Sequence, residues 1–166
     1  MMLCVAVQAQ FLPANKVATR VLTRDILQRW IDTNKAIQKE QSLIEDMLPT
    51  EAEAKAFEFL SIVEQDRLVN NYLQRKGKFE PLNGQMLKLG WTGVADYMRT
   101  STQIGNAIAA DLQAEMVAKM TPDQARAVME KADPAIKLVP TADLQFVRAN
   151  KAIISQHIQS FSAASP

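Results

Sequence analysis

The stretch that most constrains this chain is Leu48-Pro49-Thr50-Glu51-Ala52-Glu53. Proline ends a helix that reaches it, because it lacks an amide proton and its ring clashes with the preceding turn. The residues after it form a capping box. The Thr50 hydroxyl can accept from the Glu53 amide while the Glu53 carboxylate reaches back to the Thr50 amide. Apolar residues recur at helical spacing on both sides. Upstream, after the N-cap Thr23 and the staple residue Leu22, the stripe is Ile26, Trp30, Ile37, Ile44 and Met47. Downstream it is Phe59, Ile62, Val69 and Leu73, widened by Leu60 and Val63. Two helices joined by so short a link are expected to form an antiparallel hairpin.

The remaining punctuation is also helical. Gly77 reads as a helix stop, with Arg75 and Lys76 placed to offset the dipole. Residues 77–84 read as a loop, and Gln85 to Leu89 as a helical turn ending at Gly90. A long third helix is expected from Thr92 to near Lys119, with the stripe Val94, Met98, Ser101, Gly105, Ile108, Leu112 and Met116. A mid-helix glycine costs about 1 kcal/mol against alanine, so Gly105 reads as a point where another helix crosses closely. Thr121-Pro122-Asp123-Gln124 opens a short fourth helix, with Ala125, Val128, Met129 and Ala132 inward, ending before Pro134. Pro140-Thr141 precedes the last, whose stripe is Leu144, Val147, Ile154, Ile158 and Phe161.

Composition agrees. Only 6% of the 166 residues are aromatic and five are glycine, whereas strands favour aromatic and β-branched residues. With 48% hydrophobic and 22% charged residues the chain can bury a core, which separates it from disordered sequences. The expected fold is all-α: a single-domain bundle of about five helices over residues 10–166, the first two as the antiparallel hairpin.

Residues 1–9 are apolar and uncharged, with Val7 and Ala9 at the −3 and −1 positions of a small-residue cleavage site. They are expected to be the end of a secretory signal peptide, which places the mature protein in the periplasm. The segment lacks a basic leader region and is short; a start assigned too far downstream accounts for both. The alternative is an apolar N-terminus that packs on the domain. Cleavage after Ala9 removes Cys4, the only cysteine. No later stretch approaches the roughly 20 apolar residues of a membrane span.

Most chemistries lack their residues. The single histidine, His157, reads as a surface or boundary residue, too little for the three or four ligands of a zinc site. Met116 and Met120 could suit copper, but Met116 continues an apolar stripe and methionine is a common core filler. There is no phosphate-binding glycine loop and no nucleophile elbow. Arg75, Lys76, Lys78 and Lys88 near Phe79 and Trp91 form a basic cluster too small, and interrupted by Glu80, to read as a nucleic-acid site. The expectation is a protein without cofactor, metal, nucleic acid or catalytic residues.

Two features suggest contacts instead. Charge is segregated: residues 1–39 carry net +4, residues 40–66 net −7, residues 67–99 net +4, and the rest balances. Such a pattern either pairs neighbouring helices or makes Glu51, Glu53 and Glu58 a docking face. Gly90-Trp91-Thr92-Gly93, followed by Tyr97, either presents Trp91 and Tyr97 to a partner or plugs Trp91 into the end of the bundle.

Met120-Thr121-Pro122-Asp123-Gln124 resembles the Leu-Thr-x-x-Gln motif of the small helical periplasmic chaperones and stress sensors of the Spy/CpxP type, which carry it twice. The second candidate, Leu22-Thr23-Arg24-Asp25-Ile26, lacks the glutamine. The resemblance implies an ATP-independent chaperone or sensor that binds unfolded clients. The residues themselves point to a binding or adaptor protein with an unknown protein partner. A carrier of a small apolar ligand is the third reading.

Overall fold

Where the sequence carries a complete capping pattern, a helix begins there. A computed structural model describes residues 20–163, and among these there are ten α-helices and no strand. The expected leader end at residues 1–9 lies outside the described residues.

Thr23 caps α1, Arg24–Ala36, its hydroxyl accepting from the Ile26 amide. The helix does not run on to Met47 as the stripe suggests. It unwinds at Ile37 into a 3-10 turn, Gln38–Glu40, and resumes as the short α2, Gln41–Glu45. Thr50 and Glu53 form the expected capping box at the start of α3, Glu51–Glu58.

The second expected helix is also two pieces. Ser61 and Glu64 make another reciprocal box and start α4, Ile62–Arg75. The break at Phe59 to Ser61 rotates the stripe. Val69 and Leu73 are fully buried, while Phe59 is 72% and Val63 76% exposed.

Gly77 stops α4 at φ 65°: the Lys78 amide donates to the Leu73 carbonyl and the Gly77 amide to Gln74. That left-handed turn is one glycine adopts without the Cβ penalty. The expected loop at 77–84 is instead most of α5, Phe79–Lys88. Pro81 is its third residue, and the first four amides of a helix have no intrahelical acceptor, so the missing donor costs nothing there. Gly90, at φ 86°, closes α5 in the same way, with the Trp91 amide on the Met86 carbonyl.

The long helix, α6, spans Val94–Val117 and is the hub: α9, α4, α8, α5, α1 and α7 all pack on it. The hairpin expected of the first two helices is not among the principal pairings; α4 packs mainly on α6 and α5. The expected stripe holds at Val94 and Met98, in part at Ser101 and Ile108, and fails at Gly105, Leu112 and Met116. Ile104, Ala107 and Asp111 are buried, whereas Leu112 and Met116 are about half exposed. Polar residues on the buried face broke the pattern. Asp111 is turned inward because Arg148 and Lys151 hold it, at 2.7 and 3.2 Å.

Gly105 is not a crossing point. It is exposed, and a Cβ added there would meet nothing within 4 Å. Gly105→Ala should therefore stabilise the protein by about 0.5–1 kcal/mol, the backbone-entropy cost of helical glycine. A lower urea midpoint for that variant would contradict the open placement.

After α6, Thr121 and Gln124 make a third box and open α7, Pro122–Lys131. A single turn, α8, Pro134–Lys137, and α9, Thr141–Ala149, follow. The last helical stretch breaks at Asn150, whose side-chain amide donates to the Phe146 carbonyl, before α10, Lys151–Ala163. One core cluster, centred on Leu73, Met86, Trp91 and Val94, joins the elements from Ile37 to Met98. A smaller one joins Leu27, Ile31, Ala107, Val147 and Ile154. Among the described residues no helix is long and apolar enough to cross a membrane.

Candidate functional site

Of the residues singled out from sequence, Trp91 and Tyr97 meet, but in the core and apart from the exposed Glu51 and Glu53. Trp91 and Tyr97 are 2% and 4% exposed, so neither forms a partner-facing edge. The Trp91 indole donates to Thr33 Oγ1 at 2.7 Å and meets Tyr97 edge-on, ring centres 5.8 Å apart. The guanidinium groups of Arg29 and Arg20 lie over its ring, at 5.4 and 5.7 Å. Tyr97 donates to Asn34 Oδ1, and burial pushes its pKa up, with Ser101 opposing.

His157, expected at the surface or a boundary, is buried. Its Nε2 lies 3.0 Å from Asn34 Nδ2, which can only donate, so Nε2 accepts and the ring proton sits on Nδ1. Nδ1 has no partner. Trp30 meets the ring edge-on at 5.1 Å. Desolvation first, and the nearby Lys35 charge second, lower the His157 pKa.

Of the three glutamates, Glu51 and Glu53 are exposed and locally engaged. Glu51 pairs with Lys55, and Glu53 with the Thr50 cap. The acidic 40–66 stretch makes a single ion pair with the basic 67–99 stretch, Asp66 with Arg99 at 2.7 Å. Glu58 differs. It is half-buried, makes no hydrogen bond or ion pair, and its pKa is raised, first by desolvation and then by Asp133, against the pull of Lys55.

Glu58 lines a half-open cleft of about 270 Å³ that α4, α6 and the α8–α9 connection enclose. The residues that line the cleft are of two chemical kinds. One is apolar: Phe57, Ile62, Leu138, Val139 and Pro140. The other is polar and comes mostly from one face of α6: Asp96, Arg99, Gln103 and Asn106, with Gln65 and Asp143.

Most of the polar groups are held by the fold. Asp96 accepts from the Thr92 amide at 3.1 Å and pairs with Arg20 at 2.7 Å. Arg99 is fixed by Asp66 and by Gln65, whose own amide donates to the Phe57 carbonyl. Gln103 donates to Asp143 at 2.8 Å and to the Arg20 carbonyl at 2.7 Å. Asp143, 5% exposed, has no cation within ion-pair distance among the described residues. The Asn106 amide, also on the wall, forms no side-chain hydrogen bond.

Sequence reasoning finds Glu58 but misses the rest, because the lining runs from Arg20 to Asp143. The one available signal was the polar run Asp96, Arg99, Thr100, Gln103, Asn106 along α6. Those residues recur every three or four positions and share one face.

Comparison of the chain with protein-family models, curated proteins and solved structures gives no match.

Proposed function

We propose that this chain is a non-catalytic binding protein that takes a small amphipathic ligand into the cleft beside α6. The mixed lining carries the reading: apolar side chains share the cleft with charged and amide groups. Apolar clefts with a few fixed polar groups are the usual form of small-molecule sites. The reading is the ligand carrier expected from sequence, with polar groups added. The Thr100 hydroxyl is spent on the Asp96 carbonyl, which supports binding over nucleophilic chemistry. Residues 1–9 support export to the periplasm as the setting.

A second reading keeps the chaperone or stress sensor of the Spy/CpxP type. Exposed Phe59, Val63 and Leu138 favour it, since apolar side chains presented to water near a cleft suit an unfolded client. The Thr121–Gln124 motif offers that reading less, because both side chains are used in the α7 cap.

The neutral probe phenylbutanol tests the first reading. Saturable shifts of the Ile62 and Val139 methyl resonances are expected. Asn106→Phe fills the cleft without breaking a hydrogen bond and should abolish them while leaving the circular dichroism unchanged. Binding that survives Asn106→Phe would place the ligand elsewhere and end the proposal.

A further inference from the structure

Charge balance within the cleft says what kind of polar group it accepts. Five lining residues are ionisable: Arg20, Arg99, Glu58, Asp96 and Asp143. Both arginines are committed, Arg20 to Asp96 and Arg99 to Asp66. The cation nearest Glu58 in sequence, Lys55, is held between Glu51 and Asp133 at 2.8 and 2.9 Å. Glu58 and Asp143 are therefore the lining carboxylates left without a cationic partner among the described residues. Asp143 is almost wholly buried, and its protein partner is the neutral amide of Gln103.

A buried carboxylate with one amide donor keeps unused acceptor capacity, since an ionised carboxylate offers about four lone-pair sites. An ammonium or guanidinium supplies the donors and the charge together, and charge-assisted hydrogen bonds are the stronger kind. An anionic ligand would need a free cation in the cleft, and both arginines already have carboxylate partners. The raised Glu58 pKa fits a carboxylate waiting for such a counter-charge.

Resting on the reading of the cleft as a ligand site, we infer that its ligand is a small organic cation, an amine on an apolar body. The amine sits between Asp143 and Glu58, and the body lies on Phe57, Ile62 and Val139. The Asn106 amide is free to accept one further ammonium proton.

Three probes of one shape test this: phenylbutylammonium, phenylbutanol and phenylbutanoate, titrated calorimetrically into the full chain at neutral pH. The ammonium is expected to bind about ten- to a hundredfold more tightly than the alcohol, the usual worth of hydrogen bonds to a charged group. Its affinity should fall with added salt, and the alcohol's should not. Asp143→Asn keeps the Gln103 contact and should bring the ammonium down to the alcohol's affinity; Glu58→Gln should do so in part. Equal binding of ammonium and alcohol at the cleft would leave the ligand site standing and overturn the cation inference. Tighter binding of phenylbutanoate would overturn it as well. If none of the three binds, both the site and its charge preference are wrong.

Discussion

Trp91→Ala is expected to cost about 3–5 kcal/mol, the range for deleting a large buried aromatic side chain. A domain of this kind is stable by about 5–15 kcal/mol, so the variant should lose a large share of that stability and unfold at a much lower urea concentration. The reason is position. Trp91 follows the Gly90 stop of α5 and precedes α6, so its indole locks the turn between them against α1 through Thr33. Removal leaves a void between Tyr97, Met86 and Val94 in the main core. Trp91→Phe separates packing from the hydrogen bond. It should retain most of the stability, because Thr33 Oγ1 still donates to the Arg29 carbonyl at 2.7 Å. The measurement is urea unfolding followed by circular dichroism. A stable Trp91→Ala protein that loses only binding would mean that Trp91 faces a partner after all.

The same region shows what sequence can reveal. Starts and stops were legible because their chemistry is local. Thr23, Thr50 and Thr121 cap the helices that follow them, and Gly77 and Gly90 end the helices before them. Ser61-Ile62-Val63-Glu64 was equally readable as a box, but an apolar stripe running through it from Phe59 to Leu73 concealed the break. The α5 helix was hidden by Pro81 and Gly84, which read as loop residues although the first turn of a helix tolerates proline.

What could not be read was any inward-facing polar residue with a distant partner. Asp111 needs Arg148, and His157 needs Asn34, 123 positions away. Hydrophobic periodicity counts such residues as solvent-facing, so it turned Leu112 and Met116 of α6 and Ile158 of α10 inward in their place. The cleft is the same problem in another form: its polar lining consists of residues that a stripe analysis discards.

Acidification should destabilise the protein in two separate steps, the first of which belongs to His157. Its folded pKa is lowered from 6.5, so in the window just below that value the unfolded chain binds more protons than the folded one. Stability therefore rises with pH across the window. It is fully present above about 6.5 and is lost as the pH falls toward the folded value. The second step belongs to carboxylates with lowered pKa values, chiefly Asp111 beside Arg148, and lies below their ordinary value of 3.8. Desolvation of the ring, and then the Lys35 charge, set the first step, and the Asn34 contact bears on it too. Protonating His157 adds a hydrogen to Nε2, which faces the donating amide of Asn34. Asn34→Ala leaves the His157 ring unpaired and takes one partner from Tyr97, and should cost about 1–3 kcal/mol or more, the usual worth of a buried group left unpaired. Asn34→Asp makes the sharper test. A carboxylate there can accept from Tyr97 and from a protonated Nε2 together, which favours imidazolium and raises the folded pKa above the unfolded one. The slope through the window then reverses, and the variant gains stability on acidification where wild type loses it. Urea midpoints at pH 8 and pH 5 decide the matter: a slope of the same sign in both proteins would show that His157 does not titrate against Asn34.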